Sequence, residues 1–264
     1  LEGGISLLCL RVIIAEIKRD IKESFNYKMG IFSDLVVFSF LILSLLFFGS
    51  GSSLQDYYGG ATGSKSLLLI GYLFWVFSIY AINSTSTEIH HEALKGTLEQ
   101  KFMAVVPIGF LFLGKMLSGL FISTIIIGLI TALVLILTGV SLKITSLSII
   151  LLVINLIGMY GIGLIFGSIA LRIKKIGQLT FILQFLLLFL TDTITKTPLS
   201  EGLGKVIPLT NGINLVRQSI SGLLVAKSEM IYFIIISLIW ILLGIVIFSA
   251  TEKKVRQDGT LNFY

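Results

Sequence analysis

The chain has 264 residues, of which 55% are hydrophobic and only 13% charged, and its net charge is +6 at neutral pH. Its mean hydropathy of +1.01 excludes a soluble globular domain, in which about a quarter of residues are charged. The positive charge therefore concerns loops and lipid headgroups rather than nucleic acid, and the single cysteine, Cys9, excludes an intrachain disulfide or a cysteine-cluster metal site.

Residues 5–29 mix Leu, Ile and Val with Arg11, Glu16, Lys18, Arg19, Asp20, Lys22, Glu23 and Lys28. That segment is too charged to span a membrane. It reads as an interfacial amphipathic helix with its basic side chains toward anionic lipid, and it lacks the layout of a compact signal peptide. Apolar runs of about twenty residues, long enough to cross a bilayer, then recur along the chain. The first expected span is 31–49, followed by a small-residue loop and a second span at 66–87. A polar stretch, 88–106, precedes the third span at 107–137. There Pro107 suits the first helical turn and Lys115 is placed to snorkel to the interface. A short turn leads to the fourth span, 146–171, where Gly163 and Gly167 form a GxxxG pair that reads as close helix packing. Arg172, Lys174 and Lys175 close it. The fifth span is 176–192, the sixth 230–250, and the tail is polar. Between them, residues 193–228 hold two of the three prolines and are too polar to cross. Ile213, Val216, Ile220, Leu223 and Leu224 would line one side of a helix there, so one or two short helices dipping into the outer interface are expected.

The fold expected is an all-α polytopic membrane protein, one transmembrane domain over 1–264 with six transmembrane helices. Charge orients it. With the N-terminus inside, the inner segments collect 14 of the 20 Lys and Arg, which follows the positive-inside rule with both termini cytoplasmic. The stretch 88–106 is then cytoplasmic. Its apolar residues Ile89, Ala93, Leu94, Leu98, Phe102, Val105 and Val106 recur at helical spacing, with Glu92, Lys95, Glu99 and Gln100 largely elsewhere. Periodicity alone leaves it open whether this helix is a solvated connector or a surface for a partner.

Chemistry is sparse. The central parts of the expected spans carry no acidic residue or histidine, which disfavours an ion-coupled carrier and an intramembrane protease. Gly109 to Lys115 fits the first seven positions of a phosphate-loop pattern, but Met116 follows instead of Ser or Thr and the run sits in an apolar helix. His90 and His91 are adjacent and point about 100° apart on a helix, so they do not form a same-face metal pair. No catalytic residue and no metal ligand set are assigned. A membrane pathway without an internal energy source requires energy from a separate protein, and 88–106 is the element available for it.

The run Glu92 to Gln100 (EALKGTLEQ), followed by Pro107 and by Leu113-Gly114-Lys115, resembles a signature of the type-2 ATP-binding-cassette exporter permeases. Ile207-Pro208-Leu209-Thr210 running to Arg217 is similar to that family's segment after the fifth span. The order of elements agrees over nearly the whole chain. The resemblance implies a half-transporter, a homodimer, bound to two copies of an ATPase subunit that holds ATP and Mg. It also implies a multi-pass location in a prokaryotic plasma membrane. The helix between spans two and three would be the coupling helix, with Glu92, Gly96, Thr97, Leu98, Glu99 and Gln100 contacting the ATPase and Glu99 a salt-bridge or capping group. Pro208, Leu209, Thr210 and Arg217 would belong to the outer gate. The cargo implied is an amphiphile such as a drug, peptide or lipid-linked product. An ion-coupled carrier and a non-transporting scaffold or sensor remain the rival readings. A large extracellular domain and a ladder of pore-facing aromatics, both found in part of the family, are absent from the sequence.

Overall fold

The computed structural model describes residues 2–48, 52–58, 62–104, 106, 108–173, 177–196 and 198–258. Among them every regular element is helical. α1 (Glu2–Asn26) leads into α2 (Lys28–Phe48), and a short α3 (Ser52–Tyr58) precedes α4 (Ser64–Leu94). A tight turn joins α4 to α5 (Leu98–Phe102), after which come α6 (Ile108–Thr138), α7 (Ser146–Ile173) and α8 (Gly177–Leu190). The short α9 (Pro198–Gly202), a 3-10 turn (Leu203–Val206) and α10 (Pro208–Ile220) then lead to α11 (Lys227–Asp258).

Five of these helices, α2, α4, α6, α7 and α11, are long and apolar enough to cross a membrane. The fifth expected span is different. It is α8, with 14 residues, which covers about 21 Å at helical rise, against about 30 Å of hydrocarbon. Its Phe181, Ile182, Phe185, Leu186 and Phe189 lie exposed along one side, while Leu187 and Leu188 pack inward.

α4 is the axis of the bundle. Its most apolar window is 83% buried, against 17–50% for the other long helices, and α6, α7 and α10 pack around it. Its 31 residues extend for about 46 Å, so the helix outruns the hydrocarbon core and carries its polar C-terminal turns beyond it. The helix thus continues seven residues past the expected end of the span at 87. The sequence turns polar there, but Glu, Ala and Leu are good helix formers, and nothing interrupts the helix before Gly96.

α7 packs against α4 on one side and α11 on the other, and glycines set both distances. A Cβ on Gly163 would lie 2.8 Å from the Ala81 carbonyl oxygen, and one on Gly167 would lie 2.6 Å from Thr85 Cγ2. Gly161 and Gly244 meet backbone to backbone where α7 crosses α11. Small residues let helices approach closely where lipid supplies no hydrophobic drive between them.

Candidate functional site

The turn after α4 is built by Gly96. Its φ of +69° is left-handed, a conformation that costs a Cβ-bearing residue about 1–2 kcal/mol. The Gly96 N–H donates to the Ala93 carbonyl at 3.0 Å, and the Thr97 N–H reaches back to the Glu92 carbonyl at 2.9 Å. This pairing is the Schellman arrangement, which satisfies carbonyls that a helix end leaves open. The Thr97 hydroxyl also donates to the Glu92 carboxylate at 2.5 Å. The expected helix 88–106 is therefore two helices joined by a sharp turn. Val105 of that stretch lies outside the described residues, as do Pro107, Lys174 and Lys175.

The turn separates the sequence-predicted contact residues into two groups. Gly96 and Gln100 are exposed, and Thr97 and Glu99 are half-buried. Glu92 and Leu98 face inward, each 3% exposed, so they brace the turn from beneath instead of forming its outer surface. Leu98 packs with Ile89, Phe102, Ile108 and Leu171 in a second, smaller core. Leu94, the last residue of α4, and Met103, just past the end of α5, are 71% and 70% exposed.

Beneath the turn, four helices meet through charge. Glu88 accepts from Lys101 Nζ at 2.6 Å and from Arg19 Nη2 at 3.2 Å. Glu92 accepts from Arg19 at 3.0 Å and lies 3.2 Å from Lys101. Lys115 of α6 pairs with Asp20 of α1 and lies 3.2 Å from Glu88. Ser118 donates to Asp20 at 2.5 Å, and Lys95 pairs with Glu23 at 2.6 Å. The hydrogen bond from Lys95 pulls Glu23 below the ordinary carboxylate range against the opposing effect of burial. The same bond holds Lys95 above its ordinary value. Burial pulls Arg19 down, but Glu16, Glu88 and Glu92 together carry it above its usual range.

The cluster corrects two expectations. α1 does not only lie on lipid: its acidic residues Glu16 and Asp20 are buried against α5 and α6, while Arg11, Lys18, Lys22 and Lys28 stay exposed. Lys115, expected to snorkel to the interface, is instead held by Asp20 of α1 with a quarter of its side chain exposed. Gly114, its neighbour, lets α1 approach, since a Cβ there would sit 2.8 Å from Glu16 Cβ and 3.1 Å from the Ile13 carbonyl oxygen. Removing Lys101 from Glu88, whose side chains are 13% and 4% exposed, costs about 3–5 kcal/mol, because the remaining charge is left uncompensated.

At the far end of α4, Pro208, Leu209, Thr210 and Arg217 are all buried. Arg217 is 0% exposed and donates to the carbonyls of Leu67 at 2.9 Å, Asp192 at 2.5 Å and Thr193 at 2.8 Å. Burial lowers its pKa. Its fork of donors thus joins α10 to the start of α4 and to the chain leaving α8. Asn214 donates to Asp192 Oδ2 at 2.8 Å, and Tyr58 donates to Asn214 Oδ1. Burial pushes the Tyr58 phenol up to about 12, so it remains a donor at neutral pH. Asp192 itself has φ +29°, an uncommon conformation in which Asp is enriched. A polar cavity of about 590 Å³ opens beside this knot, lined by Asp192, Asn214, Lys196 and Tyr232 among others.

Sequence reasoning missed two groups. Asp20 and Glu16 lie in a segment whose composition reads as a lipid-facing helix, although acidic residues on an otherwise basic helix signal a protein partner. In the bundle interior Asn155 donates to Ser78 at 2.9 Å between α7 and α4, and a lone Asn in an apolar run was the available signal. His90 and His91 are both exposed. Among the described residues no group of His, Cys, Asp or Glu forms a metal site.

A family model described as ABC-2 type transporter matches residues 8–221. No curated protein matches the chain. The matched range runs from α1 through the end of α10, so it includes the charge cluster, the turn at Gly96 and the Arg217 knot.

Proposed function

The chain belongs to the ABC-2 type transporter family, and from that premise we propose that it is the exporter half of an ATP-driven pump, moving an amphiphile from the cytoplasm or inner leaflet to the outside. As a multi-pass membrane permease it carries no catalytic site of its own. In this proposal ATP and Mg act at a separate cassette ATPase, present in two copies, and a second copy of the permease completes a homodimer. The membrane is a prokaryotic plasma membrane, both termini are cytoplasmic, and α8 makes the fifth of six crossings.

The observation that supports the reading best is the form of the α4–α5 turn. Leu94 at the end of α4 and Met103 past the end of α5 stand exposed, as do Gly96 and Gln100, on a base tied by ion pairs of Glu88 and Glu92 to Arg19, Lys101 and Lys115. A partner that pushed on a flexible loop would dissipate the motion. Here the turn is the end of the central helix, so displacement at the tip passes along α4 to the Arg217 knot at the other end. The proposed contact surface is Leu94, Gly96, Gln100 and Met103, with Thr97 and Glu99 at its side and Glu92 and Leu98 beneath. Alternating access would be a rigid-body change between two packings, and opening the outer side would require Arg217 to release its carbonyl partners.

The test is purification of the chain from its native membrane in gentle detergent, with identification of the accompanying proteins and an ATPase assay. A cassette ATPase should co-purify and be lost on Leu94→Asp with Met103→Asp, while the variant keeps its thermal stability. A stable chain that carries no ATPase, with flux that collapses when the proton gradient is removed, would overturn the proposal in favour of an ion-coupled carrier. Partner binding without flux would point to a scaffold.

A further inference from the structure

We propose that the chain binds one phospholipid with an ethanolamine headgroup in a cleft between α6, α7 and α11, at the end of the bundle that carries α1 and α5. The site lies outside the charge cluster and the Arg217 knot, and the inference requires only that the chain sits in a membrane.

The cleft has a volume of about 650 Å³, within the range of small-molecule sites. Its floor is apolar and buried, with Ile108, Phe248 and Tyr160, and Phe112 meets Phe248 edge to face at 5.4 Å to close it from beneath. Its rim, at Leu113 and Ile245, is exposed toward the side of the bundle. The lining runs along α11 from Ile241 to Arg256, about 22 Å at helical rise. That matches one leaflet of hydrocarbon, about 15 Å, plus a headgroup layer. A cleft of this length, apolar inside and open sideways, fits an acyl chain better than a compact ligand.

The polar end selects the headgroup. Only there does the lining carry charge: Glu252 and Arg256, paired at 2.7 Å. Arg256 also lies over the Phe102 ring at 5.4 Å, which fixes the guanidinium at the mouth. A purely anionic lipid would meet an arginine already compensated by a carboxylate. A zwitterion matches both members, phosphate on Arg256 and ammonium on Glu252, and only a primary ammonium donates hydrogen bonds to the carboxylate. Because Arg256 rests on the buried Phe102 of α5, a lipid at this mouth is coupled to that helix through the guanidinium.

The experiment uses the full chain in detergent micelles, with phosphatidylethanolamine, phosphatidylcholine and phosphatidylglycerol of the same acyl chains. Bound lipid is counted by native mass spectrometry, and thermal stabilisation is followed against lipid concentration. Phosphatidylethanolamine should be retained as a single equivalent and bind at least tenfold more tightly than the other two. Arg256→Gln and Glu252→Gln should each weaken it about tenfold. Gly109→Phe should abolish retention, because a Cβ on Gly109 meets nothing within 4 Å and the ring enters the open cleft without displacing the fold. The headgroup comparison on the unaltered chain needs no variant to fold. Equal or better retention of phosphatidylglycerol, undiminished retention by Gly109→Phe, or a cleft covered by a second copy, seen as a Leu113→Cys cross-link between chains, would each overturn the proposal.

Discussion

Thr97 holds Glu92 at two places: its N–H donates to the Glu92 carbonyl at 2.9 Å and its hydroxyl to the Glu92 carboxylate at 2.5 Å. The first bond ends α4. The second links that helix end to the charge cluster, because the same carboxylate accepts from Arg19. Thr97→Val keeps the shape and removes only the hydroxyl. A buried carboxylate short of one donor should lower stability by about 1–3 kcal/mol, read as a fall in melting temperature of the detergent-solubilised chain. Thr97→Ser should recover most of it. An unchanged melting temperature in Thr97→Val would show that the hydroxyl contributes nothing at the helix end.

Gly96 permits a different separation of shape from chemistry. At φ +69° an alanine is strained by about 1–2 kcal/mol, whereas asparagine tolerates the left-handed region better. Neither residue meets steric obstruction, since a Cβ at Gly96 finds open space. The expected order of melting temperature is therefore Gly, then Asn, then Ala. In the proposed complex, ATPase binding should follow the same order if turn geometry sets the docking surface. If Asn and Ala are equally damaging to binding while differing in stability, the partner approaches the glycine itself.

These two residues also show how far the sequence could be read. The repeated apolar runs specify long helices, and the glycine spacing in α7 specifies close neighbours, because both depend on composition within one segment. The end of α4 was harder to place. A change from apolar to polar residues marks where the membrane stops, and the helix itself continues until a residue changes the backbone, as Gly96 does. Leu98 illustrates the other limit. Its place in the motif is evident from sequence, but its burial against Ile89 and Leu171 depends on packing between segments far apart in the chain. The same holds for Asp20 and Lys115, separated by 95 positions, whose pairing turns an apparently lipid-facing helix into a docked one.

Arg217 should prove irreplaceable by lysine. Its three donors reach three carbonyls on two different stretches of chain, with planar geometry that a compact ammonium does not reproduce. Arg217→Lys leaves at least one carbonyl unpaired in a site with no exposure, a loss on the order of 3 kcal/mol given about 1.5–3 for each charge-assisted bond. The damage should be local. Protease cleavage within residues 193–228 should rise steeply while the turn at Gly96 stays protected. Cleavage that rises equally at both ends would mean that the two ends of α4 unfold together.

The contact between Glu23 and Lys95 carries the pH dependence of α1 docking nearest the tip. Glu23 is depressed, chiefly by its hydrogen bond from Lys95, so its contribution is present above the ordinary carboxylate value and is lost as pH falls through the lowered one. Lys95 is raised by the same bond, so its contribution is present below its ordinary value and is lost as pH rises through the raised one. Docking of α1 at this contact should therefore be flat across neutral pH, weakening only on the acid side of the ordinary carboxylate range and on the alkaline side of the ordinary lysine range. The side chains are 30% and 45% exposed, so the effect is modest and shrinks with added salt. Hydrogen exchange at the amides of residues 20–26 reads it directly. At acid pH the unaltered chain should approach the exchange rate of Glu23→Gln, and at neutral pH it should exchange more slowly. The buried carboxylates Glu88 and Glu92 are common to both chains and cancel in the comparison. Parallel profiles for the two chains across the whole range would assign the docking of α1 to those buried pairs alone.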